Sequence, residues 1–361
     1  MPGKKLTRRD FVKSASSAAL GLAAGAAAGP RVYSAAAKPS DPARDILNHQ
    51  PSMRYRRLGK TDLMVSELSF GGHWRNREGE RYWGTFPNDE PPPDVQRDRE
   101  DVVGRAIDLG INYLDITTPA EATIYGRVLK SLGARMHVGY SDYILCIRNP
   151  ANRTPEKIMF EIDEGLRRLQ MDCYDIFRPQ ALTDGKHTDD EMKTVVETFM
   201  KAKEQGKVKH LGMSSHDRPF HMHIMETFPE FEMLIFPFGA VSKQDVEHSI
   251  FPLAKEKDVG VVTIKPFSGG SLFRAEERSD GEEYDKYEVA SLAIRHIVSN
   301  EYITATVPGM TTIDELECNV QAGKHPSPLA DAEAEKLSRH ARAAMDRLPP
   351  DYAWLRQWEY V

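Results

Sequence analysis

"PEKIMFEIDEGLRRLQMDCYDIFRPQAL", residues 155–182, holds one complete unit of the fold. From Pro155 to Leu169 the apolar residues recur with helical period, and Tyr174–Phe177 is a short apolar run of the kind an interior strand presents. The run then breaks off into Arg178, Pro179 and Gln180, where an interior strand would meet a cleft. The same alternation extends in both directions. Strands are expected at Leu63–Phe70, Tyr113–Ile116, Tyr143–Arg148, Tyr174–Phe177, Val208–Met213, Met233–Phe236, Val259–Lys265 and Tyr302–Val307. Helices are expected at Asp98–Leu109, Ala122–Leu132, Pro155–Leu169, Asp189–Gln205, Arg218–Phe228, Lys243–Lys257, Tyr287–Val298 and Thr312–Ala322. Alternation of strand and helix implies parallel strands with helices outside. Eight such units in about 300 residues fit an α/β fold of the (β/α)8 TIM-barrel type; a doubly wound open sheet is the alternative.

Two stretches depart from this regularity. "HWRNREGERYWGTFPNDEPPPDVQRDRE" separates the first strand from the first helix. A long first βα loop with Trp74, Tyr82, Trp83 and Phe86 reads as a lid or rim. Beyond residue 330 comes an extra, charged C-terminal helix, followed by "DYAWLRQWEYV", whose aromatic density implies docking onto the barrel or onto another subunit.

The N-terminus has another texture. Thr7-Arg8-Arg9-Asp10-Phe11-Val12-Lys13 precedes an Ala/Gly-rich run from Ala15 to Gly29, and small residues follow at Ser34–Ala37. This resembles a twin-arginine signal peptide over residues 1–37, read by the twin-arginine export machinery, and implies a periplasmic or extracytoplasmic location. The run is short and poor in Leu and Ile for a membrane span, though a retained anchor is the other reading. Residues 38–52 read as a linker and 53–361 as the barrel domain. A net charge of −6 gives no electrostatic invitation to nucleic acid. The three cysteines, Cys146, Cys173 and Cys318, form no C-x-x-C pair, so neither a thiolate zinc site nor an iron–sulfur cluster is expected. His216, His221 and His223 do not have the spacing of a metal cage either, and no metal site is expected.

In such a barrel, active sites gather where the strands end. The residues at those ends are His73 and Trp74, Asp115, Arg148, Gln180, then Ser214, Ser215 and His216, then Phe238, Lys265 and Gly309. Lys265 and Arg148 suit an anion or a polarised carbonyl, and Asp115 or His73 a proton transfer. Each also has a structural reading: Asp115 as a cap, Arg148 as its ion-pair partner, Lys265 as a solvated cation.

Several segments resemble bacterial aldo-keto reductases in order and spacing: "YRRLGKTDLMVSELSFGG", "AIDLGINYLDI", "GLRRLQMDCYDIF", "KVKHLGMSSHD", "PLAKEKDVGVVTIKPFSGG" and "VPGMTTIDELECNV". The resemblance spans about residues 54–322 and implies a (β/α)8 barrel that moves hydride between a nicotinamide cofactor and a carbonyl. The "IKPFSGG" and "SSH" variants are most similar to a branch whose members sometimes carry iron–sulfur domains, and no such domain is expected here. The family aspartate falls on Asp115. Its tyrosine falls on Ala120, with Tyr125 further along in a helix; its strand-end lysine is replaced by Arg148 and its histidine by Gln180. On the cofactor side the resemblance implies Ser214, Ser215 and His216, then Phe267 and Gly269, then Gly309 and Asn319. Ile264 stands in place of a ring-stacking aromatic, and Glu315 and Cys318 replace a basic residue and a glutamate. Glu315 would repel a 2′-phosphate, so NADP is the less comfortable choice and NAD, or no dinucleotide, gains ground.

Three functions stay open at this level. One is an exported oxidoreductase with a retained NAD or NADP, a small sugar-like substrate and a substitute acid such as His73 or Lys265. The others are a non-redox barrel enzyme (lyase, epimerase or hydrolase) and a non-catalytic ligand-binding barrel.

Overall fold

The computed structural model describes residues 46–273, 285–324 and 327–361; the export signal expected at 1–37 and residues 38–45 of the linker lie outside them. A hairpin comes first, with β1 (Tyr55–Arg57) antiparallel to β2 (Met64–Ser66). One parallel sheet of seven strands follows in chain order: β3 (Tyr113–Ile116), β4 (His137–Tyr140), β5 (Tyr174–Phe177), β6 (Val208–Ser214), β7 (Phe231–Pro237), β8 (Gly260–Ile264) and β9 (Ala305–Thr306). Residues 67–71 join its two edges. Ser69 N donates to Thr306 O at 2.9 Å and Phe70 N to Tyr113 O at 2.9 Å, so this stretch is the remaining strand of a closed ring. The expected barrel is the fold. The expected strand Leu63–Phe70 is divided, its first part in the hairpin and Leu68–Phe70 in the ring.

The helices are α1 (Pro93–Asp108), α2 (Pro119–Leu132), α3 (Pro155–Leu169), α4 (Asp189–Glu204), α5 (Arg218–Thr227), α6 (Ile250–Glu256), α7 (Lys286–Val298), α8 (Ile313–Lys324) and the extra C-terminal α9 (Asp331–Asp346). Their apolar faces cover the outside of the sheet. Inside the ring, Tyr113, Ile176, Met233, Ile235 and Val262 pack with Leu58 and Val65 from the hairpin. The barrel interior is therefore a filled core rather than a pore, and a site has room only at its rim.

Two expectations are corrected. The third barrel strand is His137–Tyr140, not Tyr143–Arg148, which lies in the loop beyond it with Tyr143 and Ile144 exposed. Gly139 explains the weak signal, since a Cβ there would sit 2.1 Å from the Tyr113 hydroxyl. Glycine is required for that contact but lowers strand propensity. Arg148 is consequently a loop residue. The helix expected from Lys243 begins only at Ile250, because Lys243 is taken up in a short ladder with the C-terminal strand: Lys243 N donates to Glu359 O at 2.7 Å and Val361 N to Lys243 O at 2.8 Å.

That ladder anchors residues 350–358, a 3-10 segment docked onto the barrel as the aromatic density implied. Trp358 is buried and stacks on Phe236 at 5.4 Å. Across the rim, the buried Arg99 guanidinium lies 4.2 Å over the Trp74 ring and donates to Met310 O at 2.7 Å and to Thr311 O. The first loop is thus tied to the loop after β9. Among the described residues no helix is long and apolar enough to cross a membrane.

Candidate active site

A cavity of about 360 Å³ opens where the barrel strands end, a size suited to a small-molecule ligand. Asp115 stands at its inner end with His73 and Lys265, the middle is lined by Phe267, Gly269 and Gly309, and Glu315 and Asn319 of α8 mark the outer end.

His73 and Lys265 both have left-handed backbones, φ 59° and 62°, which is uncommon for non-glycine residues. Glu121 holds His73 there. Its carboxylate accepts from the backbone N–H of His73, from Thr117 N at 3.0 Å and from Thr118 N at 3.2 Å. Glu121 N donates in turn to Thr118 Oγ1 at 3.1 Å, completing a capping box with Pro119 as the first helical residue. "TTPAE" therefore starts α2 early and braces the first loop. Ala120, where the resemblance places a tyrosine, is spent on that helix start. Tyr125 is buried against Phe70 and lies off the cavity.

Lys265 Nζ lies 3.3 Å from His73 Nδ1. Burial, with Lys265 and Arg81 nearby, keeps the imidazole well below its usual range and therefore neutral. Nδ1 then accepts from the ammonium and the ring proton sits on Nε2. Burial also lowers Lys265. Tyr352, from the docked C-terminal segment, closes this end: Lys265 Nζ is 5.3 Å from its ring centre, and Arg81 donates to its hydroxyl at 3.1 Å. Burial raises the phenol, but Lys265 and Arg81 together carry it below its usual value.

The Asp115 side is built differently. Arg178 binds that carboxylate with two hydrogen bonds, Nε to Oδ1 at 3.0 Å and a terminal nitrogen to Oδ2 at 3.1 Å, and Tyr113 donates to Oδ1 at 3.3 Å. Burial still raises the Asp115 carboxyl, outweighing the pull of Arg178. Gln180 donates to Ser141 Oγ at 3.0 Å and Thr117 O at 3.3 Å, facing the scaffold rather than the cavity. Arg148 donates to Ala181 O at 2.8 Å. It is not the partner of Asp115; Arg178 is.

The candidates thus divide. The structure brings together Asp115, His73, Lys265, Phe267, Gly269, Gly309 and Asn319 around the cavity. It places Arg148, Gln180, Ser214, Ser215 and His216 off its wall. Ser214 pairs through its backbone with Pro179 and Ala181, and Ser215 Oγ donates to Leu182 O at 3.2 Å. His216 stacks flat on Trp354 at 3.6 Å, its carbonyl accepts from Trp358 Nε1 at 3.0 Å, and burial lowers its pKa to about 3. His221 and His223 point elsewhere, to the Ser215 carbonyl and to Asp189. Sequence reading missed Arg81, Glu121, Arg178 and Tyr352. Their signals were the Thr-x-x-Glu spacing, the strand-end arginine and the aromatic C-terminal stretch.

Residues 83–286 match the pattern described as the aldo/keto reductase family. This chain belongs to the aldo/keto reductase family. Among relatives of this oxidoreductase family, the L-galactose dehydrogenase of Arabidopsis thaliana is 24% identical over 295 residues, covering 74% of this chain and 87% of that one. An aldo-keto reductase structure from Bacillus halodurans (holo form) superposes with a TM-score of 0.60 at 22% identity, over 81% of this chain and 97% of that one. A second, from Klebsiella pneumoniae in complex with NADPH, gives 0.59 at 17% identity, over 80% and 94%. At these identities the structural likeness is one of fold.

Proposed function

We propose that this aldo/keto reductase family member is exported folded to the periplasm through the twin-arginine pathway with its dinucleotide bound, and there acts on a carbonyl or hydroxyl group of a small, sugar-like molecule. The observation that carries the reading is a single cavity joining an open glycine-lined wall to a proton-active pair. Gly269 has φ 66° and a Cβ there would lie 2.8 Å from the Tyr352 ring; at Gly309 it would lie 3.1 Å from the Gly72 carbonyl. Those glycines keep a narrow wall open. With Phe267 and Asn319 they fit the phosphate and ribose part of a dinucleotide. Glu315 at the outer end opposes a 2′-phosphate and suits a ribose diol, favouring NAD, while Lys286 on the same wall keeps NADP in the reading.

Bound nicotinamide supplies hydride chemistry. The chain supplies the proton. In the reducing direction His73 gives its Nε2 proton to the substrate oxygen while Nδ1 takes one from Lys265, so the imidazole stays neutral and the lysine ends neutral. A lysine whose pKa is lowered by burial is suited to that release. Asp115, fixed by Arg178, holds the inner wall in place.

One observation favours a non-redox small-ligand site instead. Trp354 and Trp358 cover His216, closing the side of the mouth where the resemblance places the nicotinamide carboxamide. Heat release of small molecules from natively purified protein, read by mass spectrometry and followed by titration of the emptied protein with NAD and NADP, decides between them. Stoichiometric dinucleotide is the expected result. A protein that carries none and binds neither would sink the redox reading.

A further inference from the structure

The inner end of the cavity holds more positive charge than its carboxylates balance. Asp115 is neutralised by the two hydrogen bonds of Arg178, and Glu121 is occupied by backbone N–H groups. Lys265 and Arg81 have no such partner: among the described residues neither has a carboxylate within ion-pair distance. One Lys265 N–H is directed at His73, leaving two of an ammonium's three donors. Arg81 gives one N–H to the Tyr352 hydroxyl, and its Nε is buried with no hydrogen-bond partner. Because that hydroxyl accepts from Arg81, its own proton is available to an acceptor. Three donors from three distant segments, the first loop, the loop after β8 and the C-terminal segment, therefore meet at one place. A half-buried ammonium and guanidinium side by side repel each other and are costly to desolvate. An oxyanion between them removes both penalties.

We infer that Lys265, Arg81 and Tyr352 form a subsite for a carboxylate carried by the substrate, so that this protein acts on a sugar-acid or oxo-acid type of molecule rather than on a neutral sugar. The inference deepens the redox reading and rests on it for the identity of the occupant as substrate. A planar carboxylate accepts from a guanidinium fork on one side and an ammonium on the other, while the Tyr352 hydroxyl donates to the same oxygens. The reacting oxygen is then left to His73 Nε2.

The test uses D-gluconate and D-glucitol, which differ by a carboxylate against a hydroxymethyl group, titrated calorimetrically into the full-length protein at low ionic strength. Gluconate is expected to bind at least tenfold more tightly than glucitol. Arg81→Gln and Lys265→Met are each expected to weaken gluconate by roughly tenfold to a hundredfold, the range of a charged hydrogen bond, and Arg81→Gln to leave glucitol unchanged. Thermal melts of both variants check folding, and Arg81, on the first loop, keeps the test decisive if the lysine variant fails to fold. Equal binding of the two probes, or a preference that neither variant alters, overturns the inference. The titration is repeated on protein saturated with NAD or NADP. Retained gluconate binding supports a substrate subsite; competitive loss would assign the cations to the phosphates of the dinucleotide and overturn it. Gluconate binding through Arg81 and Lys265 in a protein that takes no dinucleotide would leave the subsite standing and remove the redox reading.

Discussion

The rim has two sides with opposite habits. Around Asp115, Arg178, Gln180 and Ser141, each charge or amide named is matched by a neighbour and buried. Around His73, Lys265, Arg81 and Tyr352, cations crowd together without a carboxylate bonded to either. The first arrangement is what a scaffold needs, since an incompletely satisfied buried network destabilises a core. The second resembles a site kept ready for an anion, its electrostatic cost tolerated because a ligand offsets it. Polar side chains at strand ends thus belong to two populations, and satisfaction of their hydrogen bonds tells them apart better than their position does.

The largest expected effect tests this division directly. Arg178→Met leaves the Asp115 carboxylate buried and unpaired, and should lower unfolding stability in urea by about 3–5 kcal/mol. Lys265→Met, on the other side, should cost little stability or add some, because it removes an unpaired, partly desolvated cation. Equal losses in the two variants would erase the distinction.

A smaller effect concerns pH next to the satisfied side, where one oxygen of the buried Glu161 carboxyl has no hydrogen-bond partner. Glu161, on α3 beneath the Asp142 backbone, accepts from Asp142 N at 2.9 Å. Burial raises its carboxyl to about 8. A carboxyl raised in the folded state stabilises fully below its unfolded value and loses that stabilisation as pH rises through the folded one. The wild type should therefore lose on the order of 3 kcal/mol from this group between pH 4 and pH 7. Glu161→Gln should flatten that slope in urea melts and be the more stable protein at pH 8. An unchanged slope would show that Glu161 is ionised in the folded protein.

The smallest effect lies at the outer end of the open side. Glu315 Oε2 accepts from Thr311 N at 2.8 Å, so its carboxylate is held at the first turn of α8. Glu315→Lys should shift the ratio of NAD to NADP affinity toward NADP by about tenfold, an effect of ~1.4 kcal/mol. Measured dissociation constants that do not move would place the ribose elsewhere.

The fold was legible because strand and helix textures alternate through most of the chain, and burial on both faces turns parallel strands into short apolar runs. It failed at His137–Tyr140, where the contact of Gly139 with Tyr113 erased the texture while a more apolar loop at Tyr143–Ile147 imitated it. Asp115 and Lys265 were legible from their positions at strand ends. Arg178 stood in the quoted stretch, yet its role depends on an aspartate 63 residues away. Tyr352 depends on an arginine 271 residues away and on a segment outside the repeating pattern. Contacts of that separation leave no periodic trace. The capping box of Thr118 and Glu121 was local and readable, and it places position 120 in the first turn of α2.

The C-terminal segment also sets an order of events. Every barrel strand and α8 precede Tyr352 in the chain, so the ribosome releases the ring and both lengths of the groove before the residue that closes its inner end. At synthesis rates of about 5–20 residues per second, the roughly 30 residues from Lys324 to Tyr352 take a few seconds to emerge. During that interval the groove is roofless. A ligand that enters then meets a groove without Tyr352, and one that arrives afterwards meets it with that ring beside Gly269 and Lys265. The last part of the wall to be made is thus the part that bears on Lys265 and Arg81.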